Sequence, residues 1–239
     1  MNPEIVNLTS GFGGALLGAL VGGFISWLLA KQSSAETLKR DREARDEEQK
    51  SYALRLMVKA SLVLSDVVAI KNAINQSLSD ANERGLSHLP FWRRVIPIVP
   101  SSKSYEVDAS ELAPLIAAKE ADLVTAATEV FMQHATLIAA IDTYFEKRGE
   151  IKKLIKRHSG VRDGVVMSEL TESEIAALAP YELELESIIK EVRSALGPLQ
   201  ANAEKVTFGI GPAIQKHYGD KGFPIFIADE TKIGDKEGR

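Results

Sequence analysis

Apolar and polar positions divide the chain into three regimes. Residues 11–30 read GFGGALLGALVGGFISWLLA and carry no charge. At 1.5 Å per residue a helix over that run spans about 30 Å, the thickness of a bilayer core. One transmembrane helix is therefore expected over 11–30, behind a short extracytoplasmic N-terminus at 1–10. The pattern then reverses. Residues 31–50 hold six basic and six acidic residues and almost nothing apolar. Acid stands four positions before base in Glu36/Arg40 and Asp41/Arg45, the arrangement that supports an exposed helix. A charged helical stalk is expected over 31–52. From 53 the apolar period becomes helical, with Leu56, Ala60, Val63, Val67, Ile70 and Ile74 spaced four and three apart and Leu78 close behind. This opens a cytoplasmic helical domain over 53–228, followed by a polar tail at 229–239 that is expected to be disordered.

Within that domain the first helix is expected to run to about Asn82. Gly85, Pro90, Pro97 and Pro100 interrupt the pattern over 84–110. A second helix starts near Asp108 or Ser110 and carries the stripe Ile116, Leu123, Ala127, Val130, His134, Leu137, Ile141, Tyr144, Ile151 and Ile155. Folding the two into an antiparallel hairpin lays the apolar part of one on that of the other. The same register sets Asp46, Glu47 and Glu48 near Lys147 and Arg148, and Asp41 and Glu43 near Lys152 and Lys153. A long antiparallel hairpin is expected on these two grounds, returning the basic end 147–158 toward the membrane. Thr171 and Glu174 form a capping-box pattern for a short helix. Pro180 is expected to start another, split or kinked at Pro198, with Leu185, Ile188, Ile189, Val192, Leu196, Leu199 and Val206 as its apolar stripe. Phe223-Pro224-Ile225-Phe226-Ile227 reads as a short extended C-terminal segment. The fold class is all-α.

The apolar run is patterned as well as long. Gly14, Gly18 and Gly22 form overlapping GxxxG steps continued by Ser26, and Gly11, Ala15, Ala19 and Gly23 form a second small row. Small rows let helix backbones approach closely, which favours association in lipid; these eight residues are the candidate oligomerisation surface, and a homo-oligomer is expected. A cleaved signal peptide fits less well, because residues 1–10 contain no Lys or Arg and the apolar run exceeds an ordinary signal core. Lys31, Lys39, Arg40, Arg42 and Arg45 follow the run, while Glu4 alone precedes it. The positive-inside rule puts the C-terminal domain in the cytoplasm and the N-terminus outside, in an inner membrane.

Composition narrows the chemistry. A net charge of −4 argues against a general nucleic-acid binder, and the absence of cysteine excludes disulfides and thiolate sites. None of the four histidines has metal-ligand spacing, so neither metal nor cofactor is expected. His134 falls on the core stripe, where a buried, hydrogen-bonded structural histidine is the expectation. The Arg-x4–6-His motif of HEPN ribonucleases is missing: Arg84/His88 is too short and Arg148/His158 too long. Gly209-Ile210-Gly211-Pro212 lacks the Lys-Ser/Thr of a phosphate loop.

Two basic features remain. Lys147, Arg148, Lys152, Lys153, Lys156 and Arg157 form a dense cluster, read as pairing with the stalk acids or binding anionic lipid. Phe91, Trp92, Arg93 and Arg94 form an aromatic-basic loop, read either as docking a cytosolic protein partner or as folding back on the helix tips. The layout resembles bacterial membrane-anchored effectors and accessory proteins of phage-defence systems, which join a membrane helix to a helical cytosolic domain; that likeness carries over no residues. The leading expectation is a non-enzymatic, self-associating membrane protein that presents a helical interaction domain. The alternatives are an effector whose Gly-rich helices assemble into a membrane-perturbing ring, and a helical enzyme without a recognisable motif.

Overall fold

A computed structural model of the chain describes residues 3–96, 104–155, 160–162, 165–168 and 170–227. Among these the architecture is all-helical apart from one small ribbon. Helix α1 runs Pro3–Glu83, α2 Phe91–Arg94, α3 Ala109–Ala117, α4 Ala121–Leu154 and α5 Glu172–Tyr218. Strands β1 (Gly160–Arg162) and β2 (Val165–Met167) pair antiparallel with Val161 opposite Val166. The chain divides into two compact units, Met1–Gln49 and Lys50–Arg239.

In the first unit α1 is helical through the uncharged stretch and the stalk. Gly22, Gly23 and Ser26 are exposed. Gly11, Gly14, Ala15, Gly18 and Ala19 fall where the backbone alone is described. In the stalk Lys39 pairs with Glu43 at 3.8 Å, one turn along the helix.

In the second unit α1 from Lys50, α4 and α5 enclose one core. The stripe on α1 is buried as its spacing requires, with Leu56, Ala60, Val63, Val67, Ile70 and Ile74 all 3% exposed or less. Helix α5 lies antiparallel to both other long helices. Lys50 bonds Asp220 and Lys71 bonds Gln200, each at 2.8 Å, which sets its direction against α1. Lys147 bonds Glu184 at 2.7 Å, and Leu123 packs on Gly209, which sets its direction against α4. Helices α1 and α4 therefore run the same way. The expected antiparallel hairpin is corrected: the chain turns at Gly85 (φ +71°) and travels back through α2 and α3 before α4 begins. The stretch 84–120 is long enough, since the α1 segment from Lys50 to Glu83 covers about 50 Å and an extended chain of that many residues reaches over twice as far. An amphipathic stripe matches a partner stripe in either direction, so apolar matching could not choose between them.

Two helix boundaries also differ from expectation. The second helix is broken at Lys119, a non-glycine residue with φ +61°, and α3 turns Ile116 outward to 61% exposure. Helix α5 is continuous where two or three pieces were expected, with Pro180, Pro198 and Pro212 inside it. Each interior proline costs about 3 kcal/mol. Burying Leu185, Ile189, Val192, Leu196, Leu199, Val206, Ile210 and Ile214 offsets this at about 1.5–3 kcal/mol per large apolar side chain. The capping box at its start is present, with Thr171 Oγ1 accepting from Glu174 N and Glu174 accepting from Thr171 N. Gly219 ends it at φ +67°, and the segment after it returns over Gly211, burying Phe223.

Candidate functional site

The aromatic loop and the basic cluster meet at one end of the bundle. Arg148 donates to the carbonyls of Trp92 and Val95 and to Tyr144 Oη, 2.9 Å away. Its guanidinium also lies 5.8 Å from the Trp92 ring centre. Tyr144 donates to the same Trp92 carbonyl at 2.9 Å, and Trp92 N donates to Glu186 at 2.9 Å. Burial raises the Tyr144 phenol above its ordinary range, with Arg148 offsetting part of the effect, so the hydroxyl stays a donor. Arg93 pairs with Glu182. Lys147 is held by Glu184, whose hydrogen bond raises the ammonium and keeps it charged.

This assembly corrects two expectations. Phe91 and Trp92 are buried, at 5% and 7% exposure, so they plug the bundle and do not form a docking surface. Of that loop Arg93 is exposed and Arg94 half-buried. Lys147 and Arg148 bind partners within the bundle in place of the stalk acids: Lys147 bonds Glu184, and Arg148 bonds Trp92 and Val95 in the segment that follows α1. Lys152 and Lys153 are exposed in the last turn of α4; Lys156 and Arg157 lie outside the described residues.

The second polar assembly surrounds the core of α4. His134 is fully buried, its Nε2 lies 3.4 Å from Asp66 Oδ2, and its ring stacks on Tyr105 at 5.6 Å. Neither ring nitrogen makes a hydrogen bond of good geometry among the described residues. The histidine is buried as expected but less satisfied than expected. Burial lowers its pKa below the ordinary 6.5, and the Asp66 carboxylate opposes the shift without reversing it. His134 is therefore neutral at neutral pH. A His–Asp pair is base-catalytic chemistry where substrate can reach it; here the ring is sealed. Nearby, Lys59 bonds the buried Glu111 at 2.8 Å and the Glu106 carbonyl at 2.7 Å. Glu111 also accepts from Asp108 N at 3.2 Å. These contacts pin α3 to α1 at Lys59. The sequence signal for them was the Asp108-x-x-Glu111 spacing of a capping box, which says nothing of Lys59.

An open, mainly apolar groove of about 420 Å³ lies between α4 and α5, lined by Met132, Thr136, Leu137, Val192, Pro198 and Leu199. A second of about 420 Å³ runs past Tyr105, Leu112, Phe131 and Met132. No group of three or more His, Asp or Glu among the described residues is placed to hold a metal ion. Among the described residues, α4 is the helix long and apolar enough to cross a membrane by length and composition. Its apolar face, Leu123, Ala127, Val130, Leu137 and Ile141, is spent on the core, which is the pattern of a bundle's core helix. No known protein family, curated protein or solved structure matches the chain.

Proposed function

We propose that the chain is a non-enzymatic, self-associating single-pass membrane protein that presents a cytoplasmic helical bundle. One observation carries the reading. Phe24, Trp27, Leu28 and Leu29 stand 47–60% exposed on a helix, within an uncharged run long enough for a bilayer. Exposing that surface to water is unfavourable by about 25 cal/mol per Å² of apolar area. Lipid removes that cost. Lys31, 5.2 Å from the Trp27 ring centre, suits the boundary where aromatic and basic side chains anchor a span. The basic residues that follow favour a cytoplasmic bundle, and the two small rows favour contact between copies.

The test uses the full-length protein in membranes. Alkaline carbonate should leave it in the pellet, and mild detergent should extract an oligomer. Leucine at Gly14, Gly18 and Gly22 together should shift the extracted protein to monomer while leaving it membrane-bound. Protease added to right-side-out vesicles should spare the bundle. Release by carbonate, digestion of the bundle, or an unchanged oligomer in the leucine variant would each remove a stated part of the proposal.

A further inference from the structure

Helix α1 is apolar on two opposite faces in the second unit. One face carries Leu56, Ala60, Val63 and Val67 into the core. The other carries Leu54, Val58 and Leu62, which are 39%, 44% and 43% exposed. They recur every four residues, and exposed Ser51, Ser65 and Ala69 extend the row at both ends. An exposed helix face in a monomeric bundle is ordinarily charged. Here no Asp, Glu, Lys or Arg interrupts this row from Ser51 to Ala69; Arg55 stands to one side, 5.3 Å from the Tyr52 ring centre.

We propose that this row is a contact between two copies of the chain, packed parallel along α1. The inference rests on the self-association proposed above, which supplies the second copy. Two observations select that occupant. The row follows the uncharged run in the same chain, so two chains joined through that run hold their rows at high effective concentration. Finally, a row of Leu, Val and Leu flanked by serines is self-complementary, as a two-fold contact requires. The small residues suit close approach in lipid, and the larger apolar ones suit association in water, where burying area is the driving force.

The chain has no cysteine, so single-cysteine variants of the full-length protein in membranes report contacts without background. Val58→Cys and Leu62→Cys should oxidise to a covalent species of twice the chain mass. Thr143→Cys, exposed on α4, should stay monomeric. Adding Leu54→Glu to Val58→Cys should abolish the cross-link, since it sets two carboxylates against each other in a parallel pair. Gly22→Cys reports the membrane contact independently, and its new Cβ meets nothing within 4 Å. Cross-linking at 22 without 58 overturns this inference and leaves the function reading intact. Cross-linking at 58 without 22 supports the inference and removes the glycine contact. A product at 58 of any mass other than twice the chain, or equal cross-linking at 143, overturns the inference.

Discussion

Arg148→Ala separates the two directions in which α4 could lie on α1. In the antiparallel hairpin, Arg148 would be an exposed partner of stalk carboxylates, and its loss would cost about 0–1 kcal/mol. In the observed bundle it donates to the Trp92 and Val95 carbonyls and to Tyr144 Oη. Hydrogen bonds to a charged group contribute about 1.5–3 kcal/mol each, and a buried acceptor left alone adds its own desolvation cost. Tyr144 still serves the Trp92 carbonyl after the substitution, so the Val95 carbonyl is the one stranded. Water entering the space left by the side chain recovers part of the loss. The expected net destabilisation is about 3 kcal/mol. Arg148→Lys keeps the charge but loses the guanidinium plane beside the Trp92 and Tyr144 rings and should cost roughly half as much, and Tyr144→Phe about 1 kcal/mol. The assay is urea unfolding of the full-length protein in mild detergent, followed by tryptophan fluorescence. Trp92 reports the bundle end, and Trp27, outside the second unit, supplies a background. A loss below about 1 kcal/mol with an unchanged slope would match a surface ion pair and refute the clamp.

The other predictions concern burial and close approach. Because burial holds His134 below 6.5, the unfolded chain binds more protons in the window between that lowered value and 6.5. Stability should therefore be full above pH 6.5 and fall as pH drops through the window; His134→Gln should flatten that part of the urea-midpoint profile, and an unchanged profile would assign the loss to other groups. Lys59→Met leaves Glu111, 3% exposed, without its cation, and should cost about 1–3 kcal/mol. Adding Glu111→Gln should recover part of that loss, a coupling that a double-mutant cycle measures. Two glycines should respond with opposite sign. A Cβ at Gly211 would sit 2.8 Å from the Pro224 carbonyl oxygen, whereas one at Gly149 meets nothing within 4 Å. Gly149→Ala should raise the unfolding free energy by about 0.5–1 kcal/mol, while Gly211→Ala should lower it and speed proteolysis after Gly219.

Residue spacing alone located the core of each long helix. The 4-3-4-3 pattern from Leu56 to Ile74 named the buried face of α1, because a helix repeats every 3.6 residues whatever it packs against. The stripe from Leu123 to Ile151 on α4 and the row from Leu185 to Val206 on α5 followed for the same reason. The uncharged run at 11–30, the charged stretch after it and the Thr171 capping box are also local properties, legible without a fold.

Direction and partnership were not local. The hairpin misread α4 because a stripe has no arrow; the arrow came from the return of 84–120, whose path depends on Phe91 and Trp92 finding the end of the core and on Glu111 finding Lys59. The same burial turned a loop that looked like a docking surface into a plug, and made Arg148 the clamp on it. Pro180 and Pro198 looked like breaks in α5 because their cost is visible in sequence, whereas the apolar area that offsets it exists only once α1 and α4 are in place. Sequence determined which residues leave water, since that is a property of each side chain and its period. Tertiary structure decided what they meet, since contact between residues far apart in the chain depends on the path of everything between them.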